Sequence, residues 1–275
     1  MVSFISSRSN PQVMRCASLQ EKKYRERLSS FTLDGVKLFK EAALSGMDIT
    51  DVFIWEEKKE LLLPIVEEVL GRERLEKIGV FVLTTPCFEK ISAENAPQGI
   101  ITVIKDLDFF QRCIKINKES ISKDEALLAL DGVRDPGNLG AVIRSAAAFS
   151  INTVLLSADT ADLTNPKTLR GAMGAIFKLR FLRVEDLEGS VQSLKEAGRR
   201  VFAAELREGA EALFDVKPTL RDVFVVGNEG HGIRPSVSAV CNGSVYIPIS
   251  EKTESLNASV AASILLWEQH RSALL

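Results

Sequence analysis

The sequence predicts a two-domain α/β protein whose larger, C-terminal domain is built on a mostly parallel sheet. Three observations point there. From residue 126 to the end, short β-rich runs alternate with segments of helical period. A looser alternation of the same kind fills Leu33 to Ile104, and a charged stretch without strong periodicity separates the two. The chain has 275 residues, 45% hydrophobic and 26% charged, which is long enough for two medium domains and excludes disordered and fibrous classes.

In chain order, Asn10-Pro11 marks a helix start, a capping side chain followed by a ring suited to the first helical position, and helical spacing continues to about Leu28. Val36 to Leu44 reads as a helix, Asp51 to Trp55 as a strand, and the stretch to Val69 as a second helix. Gly79 to Leu83 and Gly99 to Ile104 read as strands. The first domain thus spans residues 1–110. A linker at 111–125 contains Asn117-Lys118-Glu119-Ser120. The second domain, 126–275, has strands at Leu127 to Leu130, Thr153 to Leu156, Lys178 to Arg183, Arg200 to Ala204, Val223 to Val226 and Val245 to Ile247. A closing helix runs from Leu256 to Leu274.

Charge and cysteine usage narrow the function classes. Lysine plus arginine number 35 against 37 acids, so the whole-chain charge of −2 carries no nucleic-acid signal, and any basic surface must be local. Residues 1–40 hold eight basic and three acidic side chains. Residues 163–183 hold Lys167, Arg170, Lys178, Arg180 and Arg183 and no acid. Both stretches are candidates for tracking RNA phosphates, with a solvated helix face as the plain alternative. No apolar run approaches a membrane span and the N-terminus lacks a secretory apolar core, so a cytoplasmic protein is expected. Cys16, Cys87, Cys113 and Cys241 are scattered without ligand spacing, which predicts plain thiols and no metal.

Three segments follow predicted strands, where open α/β sheets place their ligand crevices. The first, Asp131 to Ala146, is a strand end, a rigid turn around Asp135-Pro136-Gly137, and a helix carrying Asn138 and Arg144. Those two lie about 120° apart around a helix, so only their long side chains could bring them to one site. The second, Val225 to Ile233, has three glycines among Gly227-Asn228-Glu229-Gly230-His231-Gly232, which permits sharp turning and close approach of backbone to a ligand. Its order is not the dinucleotide fingerprint. The third runs through Ile247-Pro248 and a polar loop to Ser255-Leu256-Asn257, where Ser255 and Asn257 are also plausible helix caps.

Together and in this order, these segments resemble the SpoU (TrmH-type) family of RNA ribose 2′-O-methyltransferases, within the SPOUT class. Asp135 to Gly140 with Arg144 match the first family motif. Gly227, Glu229, Gly230 and Gly232 match the second, and Ile247-Pro248 with Ser255-Leu256-Asn257 the third. The resemblance is strong over residues 126–275. It is looser in the first domain, where Asn10-Pro11, the basic helix, Asp34-Gly35 and Pro97-Gln98-Gly99 look like a ribosomal-protein-like substrate-binding domain. Relatives usually carry glutamate where this chain has Asp34.

The resemblance implies a mostly parallel sheet with a C-terminal trefoil knot, a homodimer, and S-adenosylmethionine as methyl donor to a ribose 2′-hydroxyl, without a metal. It implies a cofactor pocket at Gly227, Gly232, Ile247, Pro248 and Leu256. It implies a catalytic group of Arg144, Asn138, Glu229, Ser255 and Asn257. A guanidinium is essentially never deprotonated, so Arg144 is expected to act electrostatically on the developing alkoxide and on a neighbouring phosphate. Asn138 would orient the ribose or that arginine, and Glu229 would pair with Arg144 or Asn138. The extra N-terminal domain favours ribosomal over transfer RNA. The rival readings are a catalytically silent RNA-binding or ribosome-assembly protein on the same fold, and a nucleotide-binding oxidoreductase, against which the missing fingerprint counts.

Overall fold

The computed structural model describes residues 2–105, 125–272 and 274. The linker expected at 111–125 lies, apart from Glu125, outside the described residues, as does Cys113. The chain divides into two compact units, Met1–Phe109 with Thr164–Phe177, and Phe110–Leu163 with Lys178–Leu275. Residues 164–177, assigned from sequence to the second domain, cluster with the first unit.

The first unit contains a five-stranded sheet: β1 (Val2–Ile5), β2 (Ser30–Asp34), β3 (Ile49–Trp55), β4 (Gly79–Leu83) and β5 (Ile100–Lys105), in the order β1-β4-β3-β5-β2. β1, β4 and β3 are mutually parallel, and β5 runs antiparallel to β3 and β2. The core packs Phe53, Leu83, Phe88 and Ile101 from sheet and helix against Val13 and Cys16 of the first helix. Burial pushes the Cys16 thiol far up, and the Asp51 charge adds to the shift, so this cysteine is a core group rather than a reactive one.

The single helix expected to Leu28 is two helices, Pro11–Ser18 and Lys22–Leu28. No glycine or proline marks the break. Arg25, 2% exposed, turns its guanidinium back onto the carbonyls of Leu19 and Gln20 at 3.0 and 2.8 Å, giving the orphaned end of the first helix its hydrogen-bond donors. Its Nε also reaches Thr164 Oγ1 at 3.2 Å. This cation is therefore structural.

The second unit carries seven strands: β6 (Leu127–Asp131), β7 (Thr153–Ser157), β8 (Arg180–Val184), β9 (Val201–Ala204), β10 (Glu211–Ala212), β11 (Val223–Gly227) and β12 (Gly243–Tyr246). Their order is β10-β12-β9-β11-β6-β7-β8, and every pairing is parallel. The central strands are apolar on both faces, as a sheet covered on both sides requires: β6 and β7 are wholly buried. Two strands that come late in the chain are inserted between earlier neighbours, β11 between β9 and β6, and β12 between β10 and β9. Because adjacent strands run parallel, the segments after β6, β9, β11 and β12 all leave the sheet at one edge. This topology gathers loops far apart in sequence.

Candidate active site

The loop after β6 leads through Asp135, whose Oδ1 caps the next helix by accepting from the Asn138 amide at 2.8 Å, into Pro136–Ala148. That places the Asn138 side chain in the first helical turn. Its Nδ2 donates to Glu229 Oε1 at 2.7 Å, and its Oδ1 accepts from Asn257 Nδ2 at 2.9 Å. Asn257 in turn accepts at Oδ1 from the Ser259 amide at 2.9 Å and Ser259 Oγ at 2.7 Å, at the start of the last helix, Ala258–Ser272. One member of each sequence segment thus enters a single polar chain, Glu229 to Asn138 to Asn257.

Glu229 is held by its own loop. Gly227 and Gly232 bring the backbone back on itself, with Asn228 and Gly232 exchanging two backbone hydrogen bonds of 2.9 Å. Asn228 Oδ1 accepts from the amides of Gly230 and His231, at 2.9 and 3.2 Å, and its Nδ2 donates to the Gly132 carbonyl at 2.7 Å. A Cβ at Gly227 would stand 2.3 Å from the Gly232 carbonyl carbon, and Gly232 has φ of +68°. The sequence leaves two readings open for these glycines, a tight turn and close approach of a ligand. In the structure they accommodate the loop's own backbone.

The loop is pinned below by Asp131, 2% exposed at the end of β6. Its carboxylate accepts from the Arg234 amide at 2.8 Å and from Arg234 Nε at 2.7 Å. The hydrogen bond to Asp131 pushes the Arg234 guanidinium above its usual value.

Beside the polar chain lies a cleft of about 550 Å³, within the range of about 300–1,000 Å³ that encloses a nucleoside-sized ligand. Ile247, Pro248, Ser255 and Leu256 line it, together with Val245 and Ala261. Leu256 joins this wall directly to Asn257. Gly227 and Gly232, placed in the same pocket by sequence, stand outside its walls. Ser255 faces the cleft, and its carbonyl accepts from Thr253 Oγ1 at 3.2 Å. Apolar walls, polar rim and volume together fit an adenosine bearing a short amino-acid arm.

Arg144 is exposed six residues along the helix from Asn138 and has no hydrogen-bond or ion-pair partner among the described residues. Of the two partners open to Glu229 from sequence, the structure selects Asn138. Sequence reasoning did not reach Glu205, which follows β9 and lines the cleft. The available signal was its position at the carboxyl end of a parallel strand.

The basic run at 163–183 is not a row of free cations. Arg170 pairs with Glu94, and Arg180 with Glu125 at 3.5 Å. Arg183 donates to the carbonyls of Ser157, Ala158, Thr160 and Ala161 at 3.0–3.2 Å. Acids and carbonyls distant in sequence, invisible to a local charge count, engage these side chains. In residues 1–40, likewise, Arg15 pairs with Asp51, Lys22 with Glu26 and Lys23 with Glu21.

A parallel sheet that gathers this polar chain and an apolar cleft at its carboxyl edge is shared with solved RNA 2′-O ribose methyltransferases, which sets the chain in the SPOUT class. The comparisons give the family: residues 125–267 match the SpoU rRNA Methylase family and residues 10–102 an MRM3-like substrate binding domain, and the chain belongs to the SpoU family. It is 30% identical to 23S rRNA (guanosine(2553)-2′-O)-methyltransferase RlmP of Bacillus subtilis, over 96% of this chain and 97% of that one. Among solved structures it is similar to an AdoMet-bound rRNA methyltransferase from Sinorhizobium meliloti, with TM-score 0.83 and 27% identity over 100% of this chain and 99% of that one. It is also similar to an RNA 2′-O ribose methyltransferase, with TM-score 0.80 and 26% identity over 99% of this chain and 100% of that one.

Proposed function

We propose that the chain methylates a ribose 2′-hydroxyl of ribosomal RNA, using S-adenosylmethionine held in the cleft at Ile247, Pro248 and Leu256. The observation that carries this reading is the Glu229–Asn138–Asn257 chain, which ends at the residue directly after Leu256 of the cleft wall. The cofactor, when bound, supplies an electrophilic methyl group.

The protein's own part is positioning and electrostatics. Asn138, fixed from both sides by Glu229 and Asn257, has its rotamer set before RNA arrives, which removes reorganisation from the reacting step. Arg144 stabilises the negative charge that develops on the 2′-oxygen and grips an adjacent phosphate. A permanent cation cannot take the hydroxyl proton, so it lowers the cost of losing that proton to water. Ser255 and Asn257 complete the polar wall against the sugar.

In this reading residues 1–110 bind substrate and 126–275 carry catalysis. The matched substrate-binding domain at 10–102 supports the first part. The insertion of β11 and β12 between earlier strands is the arrangement a C-terminal trefoil knot needs, and we include the knot in the proposal. Val260 and Trp267, both nearly half exposed on the last helix, support a two-fold dimer contact there. A ribosomal RNA substrate supports the cytoplasmic location expected from the sequence. The direct test is transfer of a labelled methyl group to ribosomal RNA, followed by nucleoside analysis. A 2′-O-methylnucleoside supports the reading, and RNA binding without transfer would favour the silent assembly factor.

A further inference from the structure

Glu205 enters the cleft from the end of β9, its amide donating to the Val245 carbonyl at 3.0 Å. Its carboxylate is held from behind. Oε1 accepts from Ser238 Oγ and from Ser244 Oγ at 2.8 Å, and Arg207 Nε lies 3.3 Å from the same oxygen. Arg207 also donates to Ser238 Oγ at 3.1 Å, closing the cage. Every hydrogen bond and ion pair observed for the carboxylate among the described residues is to Oε1, and Glu205 lines the cleft. The side chain is 22% exposed, so it is partly sheltered from water. The other charged residues that line this cleft are Glu251 and Glu254, both exposed, and no lysine, arginine or histidine is among them.

The donor and its spent product differ by one methyl group and one positive charge: S-adenosylmethionine is a sulfonium, S-adenosylhomocysteine a neutral thioether. An apolar wall reads the methyl group weakly, because a single carbon is worth little in contact area. A carboxylate sheltered from water reads the charge strongly, because Coulomb attraction weakens only as the inverse of distance and is poorly screened there. We propose that Glu205 is a specificity-determining residue, a caged carboxylate that makes the cleft prefer the sulfonium donor to its neutral product. The proposal rests on the reading of this cleft as the S-adenosylmethionine site. It gives the site a means to release product and reload, and it casts Arg207 as a partial counter-charge that moderates the preference.

The test is calorimetric binding of both nucleosides to the intact protein and to two variants that displace the local charge in opposite directions. In Glu205→Gln, affinity for S-adenosylmethionine should fall about tenfold, equivalent to about 1.4 kcal/mol, while that for S-adenosylhomocysteine changes less than about twofold. In Arg207→Met, the preference for S-adenosylmethionine should instead rise about threefold. Equal weakening of both ligands in Glu205→Gln would mean that Glu205 contacts a group they share, and would overturn the proposal. Unchanged ratios in both variants would do the same while leaving the cofactor site intact. Failure of the unaltered protein to bind either nucleoside would remove the cofactor reading itself. Arg207→Met keeps the question answerable if loss of the caged carboxylate unfolds the chain.

Discussion

Asn257 Nδ2 donates to Asn138 Oδ1 at 2.9 Å across 119 positions of sequence, tying the first turn of helix Pro136–Ala148 to the start of the last helix. Each amide uses its other end as well, Asn138 toward Glu229 and Asn257 toward Ser259. The two side chains therefore act as one unit. Replacing either by alanine is expected to lower the transfer rate about 10- to 100-fold. The double variant should be far less impaired than the product of the two single losses. Single-turnover methylation of RNA by the four proteins measures that coupling.

Arg144 is exposed and has no hydrogen bond or ion pair among the described residues for its removal to break, so Arg144→Ala should fold with little change in thermal stability. It should still bind S-adenosylmethionine and lose methyl transfer by at least about a hundredfold, with lysine restoring only part because a point charge replaces a planar fork. Calorimetry for the cofactor beside transfer kinetics separates these effects. Full activity in the alanine variant would remove Arg144 from the mechanism.

The Asp131–Arg234 pair predicts an asymmetry in stability. Asp131 is 2% exposed whereas the Arg234 side chain is half exposed. Arg234→Ala strands a buried carboxylate and should cost about 3–5 kcal/mol. Asp131→Asn leaves a cation that water can reach and should cost only about 1–2 kcal/mol. Urea denaturation of the two variants gives the ordering, and equal costs would contradict the burial assigned to the pair.

Asp34 predicts a pH dependence. Burial raises its carboxyl to about 6, against a hydrogen bond from Ser92 that lowers it, while the charges of Glu94 and Arg170 push in opposite directions. The folded chain then holds a proton that the unfolded chain has released, so stability falls as pH rises from about 4 to about 6 and stays lower above that. Asp34→Asn should flatten this limb and stabilise the protein at pH 7, by on the order of 1 kcal/mol. Melting temperatures of both proteins from pH 4 to pH 8 check it.

Much of this architecture is legible in the sequence where short-range rules dominate. Helix Val36–Leu44 and strand Gly79–Leu83 fall at their expected bounds because side-chain periodicity and the flanking Gly35 and Gly79 are local signals. The six strands expected in the second sheet are displaced by at most about two residues for the same reason, whereas the two-residue β10 and the first-unit strands β1 and β2 are too short or too weakly patterned to be expected. The break after Ser18 is not legible, because it depends on Arg25 folding back onto carbonyls that the sequence does not mark. The glycine loop was recognised by composition, but whether its bareness serves a ligand or its own backbone is decided by the 2.3 Å approach at Gly227. Glu205 was hidden because its serine partners lie 33 and 39 positions away, beyond any motif. The charge count at 163–183 carries no partners, and the structure supplies them in Glu94 and Glu125.

The chemical nature of the product is the most direct readout of the reaction. Ribosomal RNA from cells lacking this protein, incubated with the purified chain and methyl-labelled S-adenosylmethionine and digested to nucleosides, should yield label in one 2′-O-methylnucleoside, and none when Arg144→Ala replaces the unaltered protein. Label recovered in a methylated base, or equal labelling by the Arg144 variant, would contradict the proposed reaction.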